Sequence, residues 1–343
     1  MTALIYATLG NTTNDMYTIE SMIREGMKGV RINTAYCGIK EYDRWINFVQ
    51  TATTKLGVHV PVMLDLKGPQ LRLELPTKDT AYQIEKGSVI DIGSLFDTED
   101  VVDIALNQDL RAYLEIGDSL LIENGTIRTK VIGIGTHLQV EIVEPGAGLI
   151  TNFMGVNVPG RYFPVEHLTA KDHEMLRYAI DKKLDFVALS FVRDTIDLEY
   201  FQQKIQEMQE EMGAPGVPKI VAKIEDSIGV RNLDAIVEKA HNLNASIMLG
   251  RGDLYTEMEP VVMGKIQQQA ADACRRKNVP YFIATGFLEG MKYNTQPTRT
   301  EVGDVWNALR DRPYALVLTA ETSNGINSIT TVSTLQHIIS KYT

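Results

Sequence analysis

Eight times along this sequence a short run of Val, Ile, Leu and Ala gives way to a longer segment with helical spacing. No other feature constrains the fold as tightly. The runs occupy residues 4–9, 29–33, 60–66, 186–192, 220–225, 246–250, 281–285 and 315–319. Continuous rather than alternating hydrophobicity marks strands covered on both faces, and so a parallel sheet with helices outside. The spacing predicts helices over 18–25, 43–56, 169–183, 197–212, 229–240, 261–277, 299–310 and 328–342. Asn14 and Asp15 stand where the first of these needs a cap, and Thr169-Ala-Lys-Asp172 opens another with a capping-box pattern. Eight strand–helix repeats match the arithmetic of an α/β fold of the (β/α)8 TIM-barrel type. A doubly wound open sheet is the alternative, weakened because no G-x-G-x-x-G follows the first run.

One stretch breaks the alternation. From Gln70 to about residue 162 the chain carries no helical pattern longer than two turns. It reads instead as short strands around Leu71 and Leu73, at 83–85 and 89–92, and over 119–123, 126–132 and 138–143. Asn124-Gly125 joins two of these with residues that tolerate positive φ, a hairpin signal. Gly68-Pro69 and Pro159-Gly160 bracket the insert. The expected organisation is a (β/α)8 barrel from 1–69 and 160–343, with 70–159 an inserted small β-barrel. That insert is either a lid hinged on the barrel mouth or a structural decoration.

Composition narrows the partners. With 34 Lys and Arg against 44 Asp and Glu, the net charge of -10 argues against general attraction to nucleic acid or anionic lipid, while permitting a local basic pocket. The 2 cysteines, Cys37 and Cys274, are too few for a disulfide framework, and Cys37 has no neighbouring base to activate it. No apolar run reaches the ~18 residues of a membrane helix, and the first ten residues lack a basic region ahead of an apolar one. The expectation is a cytoplasmic protein with neither membrane nor nucleic-acid partner, a homo-oligomer being one arrangement open to it.

In a barrel of this kind chemistry sits at the carboxyl ends of the strands. Those ends read Arg31-Ile-Asn33, Asp65-Leu-Lys67, Ser190-Phe-Val-Arg193, Lys223-Ile-Glu225, Arg251-Gly-Asp253, Thr285 and Glu321-Thr322. Adjacent strands lie ~5 Å apart, so Glu225 and Asp253 can share a cation. Two carboxylates without histidine or thiolate suit Mg2+ or Mn2+. Lys223 falls on the same strand face as Glu225 and can hold an anionic oxygen beside the metal. Arg31 and Arg72 add donors for phosphate or carboxylate. Gly252 lets backbone approach a ligand, ahead of a short helical turn. The rival reading is a salt-bridge network that merely fixes strand ends. Thr285 is read equally well as a site residue or as ordinary β-propensity. The 6 histidines share no common rim.

Several lines together resemble the pyruvate kinase family. They include Ala7-Thr-Leu-Gly10, Leu64-Asp-Leu-Lys-Gly-Pro69, Gly155-Val-Asn-Val-Pro-Gly160, Ala188-Leu-Ser-Phe-Val-Arg193, Ala222-Lys-Ile-Glu225, Arg251-Gly-Asp-Leu254, Pro297-Thr-Arg-Thr-Glu301 and Ala320-Glu-Thr322. The resemblance implies that Glu225 and Asp253 bind the divalent metal bridging to phosphoenolpyruvate or pyruvate. It further implies that Arg31 and Lys223 hold the transferring phosphoryl group, that Lys223 neutralises the enolate, and that Thr285 lies near the methylene carbon. ADP or ATP would be the second substrate, placed by the lid.

The departures are selective. The family's two lid lysines before Gly-Val-Asn are here Phe153 and Met154. The family's K+ site matches at Asn33 and Asp65, but its serine is Ala35, and Gln70 replaces the usual glutamate or lysine. Tyr255 stands where the family has glycine after Gly-Asp-Leu, the family's Thr-Gln pair is Thr285-Gly286, and Gly303 replaces the serine before Asp304. The family's third, C-terminal regulatory domain has no counterpart before Thr343, and its absence is the expectation. Metal and keto- or enol-acid groups persist while nucleotide and K+ groups are eroded, although Arg72, Arg128 and Lys130 remain. Three functions stay open: phosphoryl transfer between phosphoenolpyruvate and ADP; other enolate chemistry such as decarboxylation, aldol cleavage or transfer to another acceptor; and a metabolite sensor without turnover.

Overall fold

The eight apolar runs fold as parallel strands because both of their faces find apolar cover. In the computed structural model, which describes residues 2–35, 37–76, 81–95, 102–161, 163 and 167–342, they are Leu4–Thr8, Met27–Asn33, Val62–Asp65, Phe186–Leu189, Lys219–Ile224, Ser246–Gly250, Tyr281–Ala284 and Ala315–Leu318. The first strand pairs with the last at Leu4–Ala315 and with the second at Thr8–Arg31, so the sheet closes into a barrel. Closure rules out the open doubly wound sheet. Outward-facing side chains pack under the helices, while Tyr6, Met63 and Phe282 fill the barrel interior. The Tyr6 and Phe282 rings meet edge to face at 5.3 Å between centroids. This plug leaves the mouth as the place where polar strand ends can meet.

The caps form as their side chains dictate. Asp15 accepts from the Thr18 amide at 2.9 Å to start Met16–Arg24. Thr169 and Asp172 cap Ala170–Asp181 reciprocally. The second predicted helix starts earlier, at Ile39, because Gly38 turns the chain there with Glu41 closing back on its amide. The predicted helix 229–240 is two pieces, Ser227–Arg231 and Leu233–Asn242. Asp226 caps the first through the Ile228 and Gly229 amides.

Between the third and fourth strands lies a second closed barrel. Its seven strands follow the spatial order Leu138–Glu144, Val89–Ser94, Ala105–Leu106, Leu71–Glu74, Gly155–Asn157, Ser119–Ile122 and Ile127–Ile134. The Asn124-Gly125 hairpin forms as expected: Ile122 opposes Ile127, and Glu123, Asn124 and Gly125 all take positive φ. Three strands went unforeseen, Ala105–Leu106, Ala147–Thr151 and Gly155–Asn157, because each is short or lacks a clear alternation. The segment at 83–85 belongs to Ala81–Glu85, which pairs with Ala147–Thr151 in a separate ribbon rather than in the small barrel. At the entry, Gly68 takes φ 68 and donates its amide to Asp172 Oδ1 at 3.2 Å, tying the junction to the cap of a barrel helix. Among the described residues no helix is long and apolar enough to cross a membrane.

Candidate active site

The mouth of the large barrel and the edge of the small one enclose a cleft of about 200 Å³. At its floor, Asp65 ends the third strand and is almost wholly buried. Its Oδ2 accepts from Arg31 Nε at 2.6 Å and its Oδ1 from Lys223 Nζ at 2.9 Å. Lys223 also donates to Ser190 Oγ at 2.8 Å and pairs with Glu225 Oε1 at 3.0 Å. Glu225 Oε2 accepts from the Phe191 amide at 3.1 Å, and Arg31 reaches Thr8 Oγ1 at 3.0 Å. Burial alone would push the Asp65 carboxyl up, yet Lys223 and Arg31 outweigh it and hold it below its ordinary value. Burial would likewise lower the Lys223 ammonium, but Asp65 and Glu225 raise it, so it keeps its charge. The salt-bridge network weighed as a rival reading therefore exists, and it includes the lysine.

The remaining acid is different. Asp253 lines the same cleft from the helix Arg251–Glu257, and its side chain has no hydrogen bond or ion pair among the described residues. Burial raises its carboxyl against the pull of Lys223 and Arg72. Burial also raises Glu225, with Lys223 pulling down and Asp253 pushing further up. A buried Glu225 and a half-buried Asp253 that repel one another are short of one cation. Mg2+ is bound through one or two carboxylates and keeps several waters, so this pair fits it or Mn2+. No group of three or more His, Cys, Asp or Glu able to hold a metal occurs among the described residues. Water or substrate oxygens would complete the shell.

Thr285 follows the seventh strand with φ 78, a conformation disfavoured for a β-branched side chain. Its carbonyl accepts from Arg251 Nε at 2.8 Å, while Arg251 grips Asp304 at 3.0 and 2.8 Å. Such local strain persists only where surrounding structure imposes it, and it concentrates at functional sites. Thr285 thus stands just beyond the strand, in a backbone conformation that β-propensity does not account for. Gly252 lies within the first turn of its helix rather than ahead of it, because helix geometry starts directly after the strand, at Arg251. Arg72 lines the cleft from the small barrel, donating Nη1 to the Phe153 carbonyl at 2.7 Å and Nη2 to Gln70 Oε1. Asn33 spends its Oδ1 on the Ala35 amide at 2.9 Å.

A wider cleft of about 490 Å³ adjoins the first and shares Arg31, Asp253 and Thr285 with it. Arg31 is the single cation among its lining residues, and Asp65 already engages that cation. Phe153 and Tyr255 are exposed. Cys37 lines this cleft, but burial raises its thiol, which leaves it a poor nucleophile.

Ser190, Phe191 and Arg251 stand out in the sequence only as strand-end residues without a role, Asn157 only as part of the motif at 155–160, and Glu257 not at all. Ser190 and Arg251 carried a signal, being polar at the ends of strands. The Phe191 amide carried none.

A model of the pyruvate kinase barrel domain matches residues 2–332. The chain belongs to the pyruvate kinase family. It is 30% identical to the pyruvate kinase of Bacillus licheniformis over 341 residues, which is 98% of this chain and 56% of that protein. The pyruvate kinase of Geobacillus stearothermophilus is also 30% identical, over 97% of this chain and 56% of its own length. A crystal structure of a pyruvate kinase from Cryptosporidium parvum superposes with a TM-score of 0.89 at 27% identity, covering 99% of this chain and 69% of that one. The chain thus spans about 56% of the length of the curated relatives it matches.

The monovalent-cation site that this family membership implies lacks one of its side-chain oxygens here. Ala35 offers none, while Asn33 Oδ1 already accepts from a backbone amide and the Asp65 oxygens from Lys223 and Arg31.

Proposed function

We propose that this chain catalyses phosphoryl transfer between phosphoenolpyruvate and ADP through a stabilised enolpyruvate, with segment 70–159 as the lid over the barrel formed by 1–69 and 160–343. The observation that carries the reading is the juxtaposition of Lys223, anchored to Asp65, Ser190 and Glu225, with the unpartnered carboxylate of Asp253.

Glu225 and Asp253 would hold Mg2+ or Mn2+, which supplies Lewis-acid polarisation of the acid's oxygens and of the phosphoryl group. Lys223 holds a positive charge where the enolate oxygen develops, in a buried setting where such a charge counts for more than in water. Arg31, oriented by Asp65 and Thr8, faces the phosphoryl oxygens, and Arg72 closes the opposite wall. The phosphorus–oxygen bond to the enol breaks as a bond to the ADP oxygen forms. The enolate then takes a proton from a water molecule on its methylene carbon, at the side where Thr285 stands.

A second reading is favoured by the wider cleft, whose single cation is already engaged, and by Phe153 in place of a lid lysine. It keeps the enolate chemistry on a pyruvate-like keto acid and dispenses with nucleotide. A lactate-dehydrogenase-coupled assay with phosphoenolpyruvate, ADP and Mg2+ tests the first reading; pyruvate at background rate rejects it. Uptake of solvent deuterium into the pyruvate methyl group, or decarboxylation of oxaloacetate, tests the second without nucleotide. Tight acid binding with neither reaction leaves a sensor.

A further inference from the structure

Asp253 and Glu257 stand four residues apart on one short helix, so both carboxylates project from the same side. Both line the cleft, yet with Glu225 they do not make a three-acid metal group among the described residues. Glu257 is directed elsewhere. Its Oε1 accepts from Nδ2 of Asn157 at 3.0 Å, and Asn157 ends the small-barrel strand Gly155–Asn157. Among the described residues this is the only hydrogen bond its side chain makes. Arg193, a cation that acts on it through space, is already paired with Asp226 and stacked on the Phe163 ring at 5.2 Å. The small-barrel hairpin also runs near this helix, with room left for a side-chain carbon. A β-carbon on Gly125, in the small-barrel hairpin, would lie 3.8 Å from Thr256 Cγ2, in ordinary van der Waals contact. Asn157 and Thr256 are each only 8% exposed.

We infer that Asn157 and Glu257 form a latch that sets the small barrel over the cleft, registering it on the helix that carries Asp253. Glu257 is a positioning residue: it acts through Asn157 and touches no reacting atom. A carboxylate with one partner, on the far side of a domain junction, loses that partner whenever the small barrel swings away. The bond therefore biases the junction toward closure, and it couples the pose of the hairpin to the pose of Asp253. The inference rests on the lid reading of segment 70–159, and its test is independent of turnover.

Hydrogen exchange of the full chain without metal, followed by mass spectrometry, reads the latch. In Glu257→Ala and in Asn157→Ala the amides of Ser119–Ile122, Ile127–Ile134 and Arg251–Glu257 should exchange about tenfold faster, with Ser328–Tyr342 unchanged. The double variant should go no further than either single one, since both remove the same bond. Glu257→Gln retains an acceptor oxygen for Asn157 and should restore protection. Unchanged exchange in the alanine variants, additive effects in the double variant, loss of protection throughout the chain, or no rescue by glutamine would each overturn the latch. If these exchange patterns hold while the wild-type chain turns over neither phosphoenolpyruvate nor keto acid, the latch stands and the proposed function falls.

Discussion

A β-carbon on Gly250 would lie 2.5 Å from Oε1 of Glu225. The bare backbone at the end of the sixth strand is therefore a condition for the place of the carboxylate on the fifth. Gly250→Ala should push Glu225 off Lys223 and weaken Mn2+ binding by about 10–100-fold, the usual range for disturbing what supports a ligand. Paramagnetic titration with Mn2+ measures this, and an unaltered affinity would detach Glu225 from the metal.

Lys223 is structural as well as chemical. Lys223→Met leaves Asp65 and Glu225 buried with one cation fewer, so stability at neutral pH should fall by roughly 3–5 kcal/mol. Adding Glu225→Gln should recover part of that loss in a denaturant titration without restoring methyl-group exchange. Full stability in the single variant would contradict the ion pairs at 2.9 and 3.0 Å.

Thr285 holds a backbone conformation that glycine adopts freely. Thr285→Gly should unfold at no lower denaturant concentration than wild type, because strain of about 1–3 kcal/mol is released. Deuterium uptake at the substrate methyl group should nevertheless slow by ~10²-fold, if the hydroxyl positions the proton donor. A variant both less stable and equally active would reverse both assignments.

Replacing K+ with tetramethylammonium at constant ionic strength should leave acid binding and turnover unchanged, since Ala35 supplies no ligand and Asn33 and Asp65 are engaged. Ala35→Ser is the complementary variant. A marked K+ requirement in the wild type would show that these oxygens accept a cation in addition to their present donors.

Glu321 sets a pH dependence of stability. Burial pushes its carboxyl from 4.5 up to about 7, although the Thr319 amide and hydroxyl both donate to it. Below pH 4.5 the group is protonated in folded and unfolded chains alike, and it costs nothing. As pH rises toward 7 the unfolded chain loses this proton first, so the group's contribution turns progressively unfavourable. Glu321→Gln should match the wild type at about pH 4 and exceed it by roughly 3 kcal/mol at about pH 8, since a tenfold change in proton affinity is worth about 1.4 kcal/mol. Parallel denaturant titrations at the two pH values measure the difference, and a constant offset would exclude Glu321 as its source.

Much of this was legible in one dimension. The barrel followed from continuous apolar runs, the caps at Asp15 and Thr169 from side chains able to bind free amides, and the hairpin from Asn124-Gly125. The polar rim followed from reading only the ends of strands. The short strands Ala105–Leu106 and Gly155–Asn157 were not legible, since two or three residues carry no period. Partners across the mouth were illegible as well. The sequence places Lys223 beside Glu225, and only the structure shows it shared among Asp65, Ser190 and Glu225.

Local pattern and chain order, then, determined the alternation of strands and helices and which residues stand at the strand ends, because periodicity and capping act within a few residues. Only the closed tertiary structure decided that Asp65 bridges Arg31 and Lys223, that Arg251 donates to the Thr285 carbonyl, and that Asn157 meets Glu257 across 100 residues of chain. Such pairings depend on the register at which the barrel closes and on how side chains pack in its mouth, and neither is written in any local stretch of sequence.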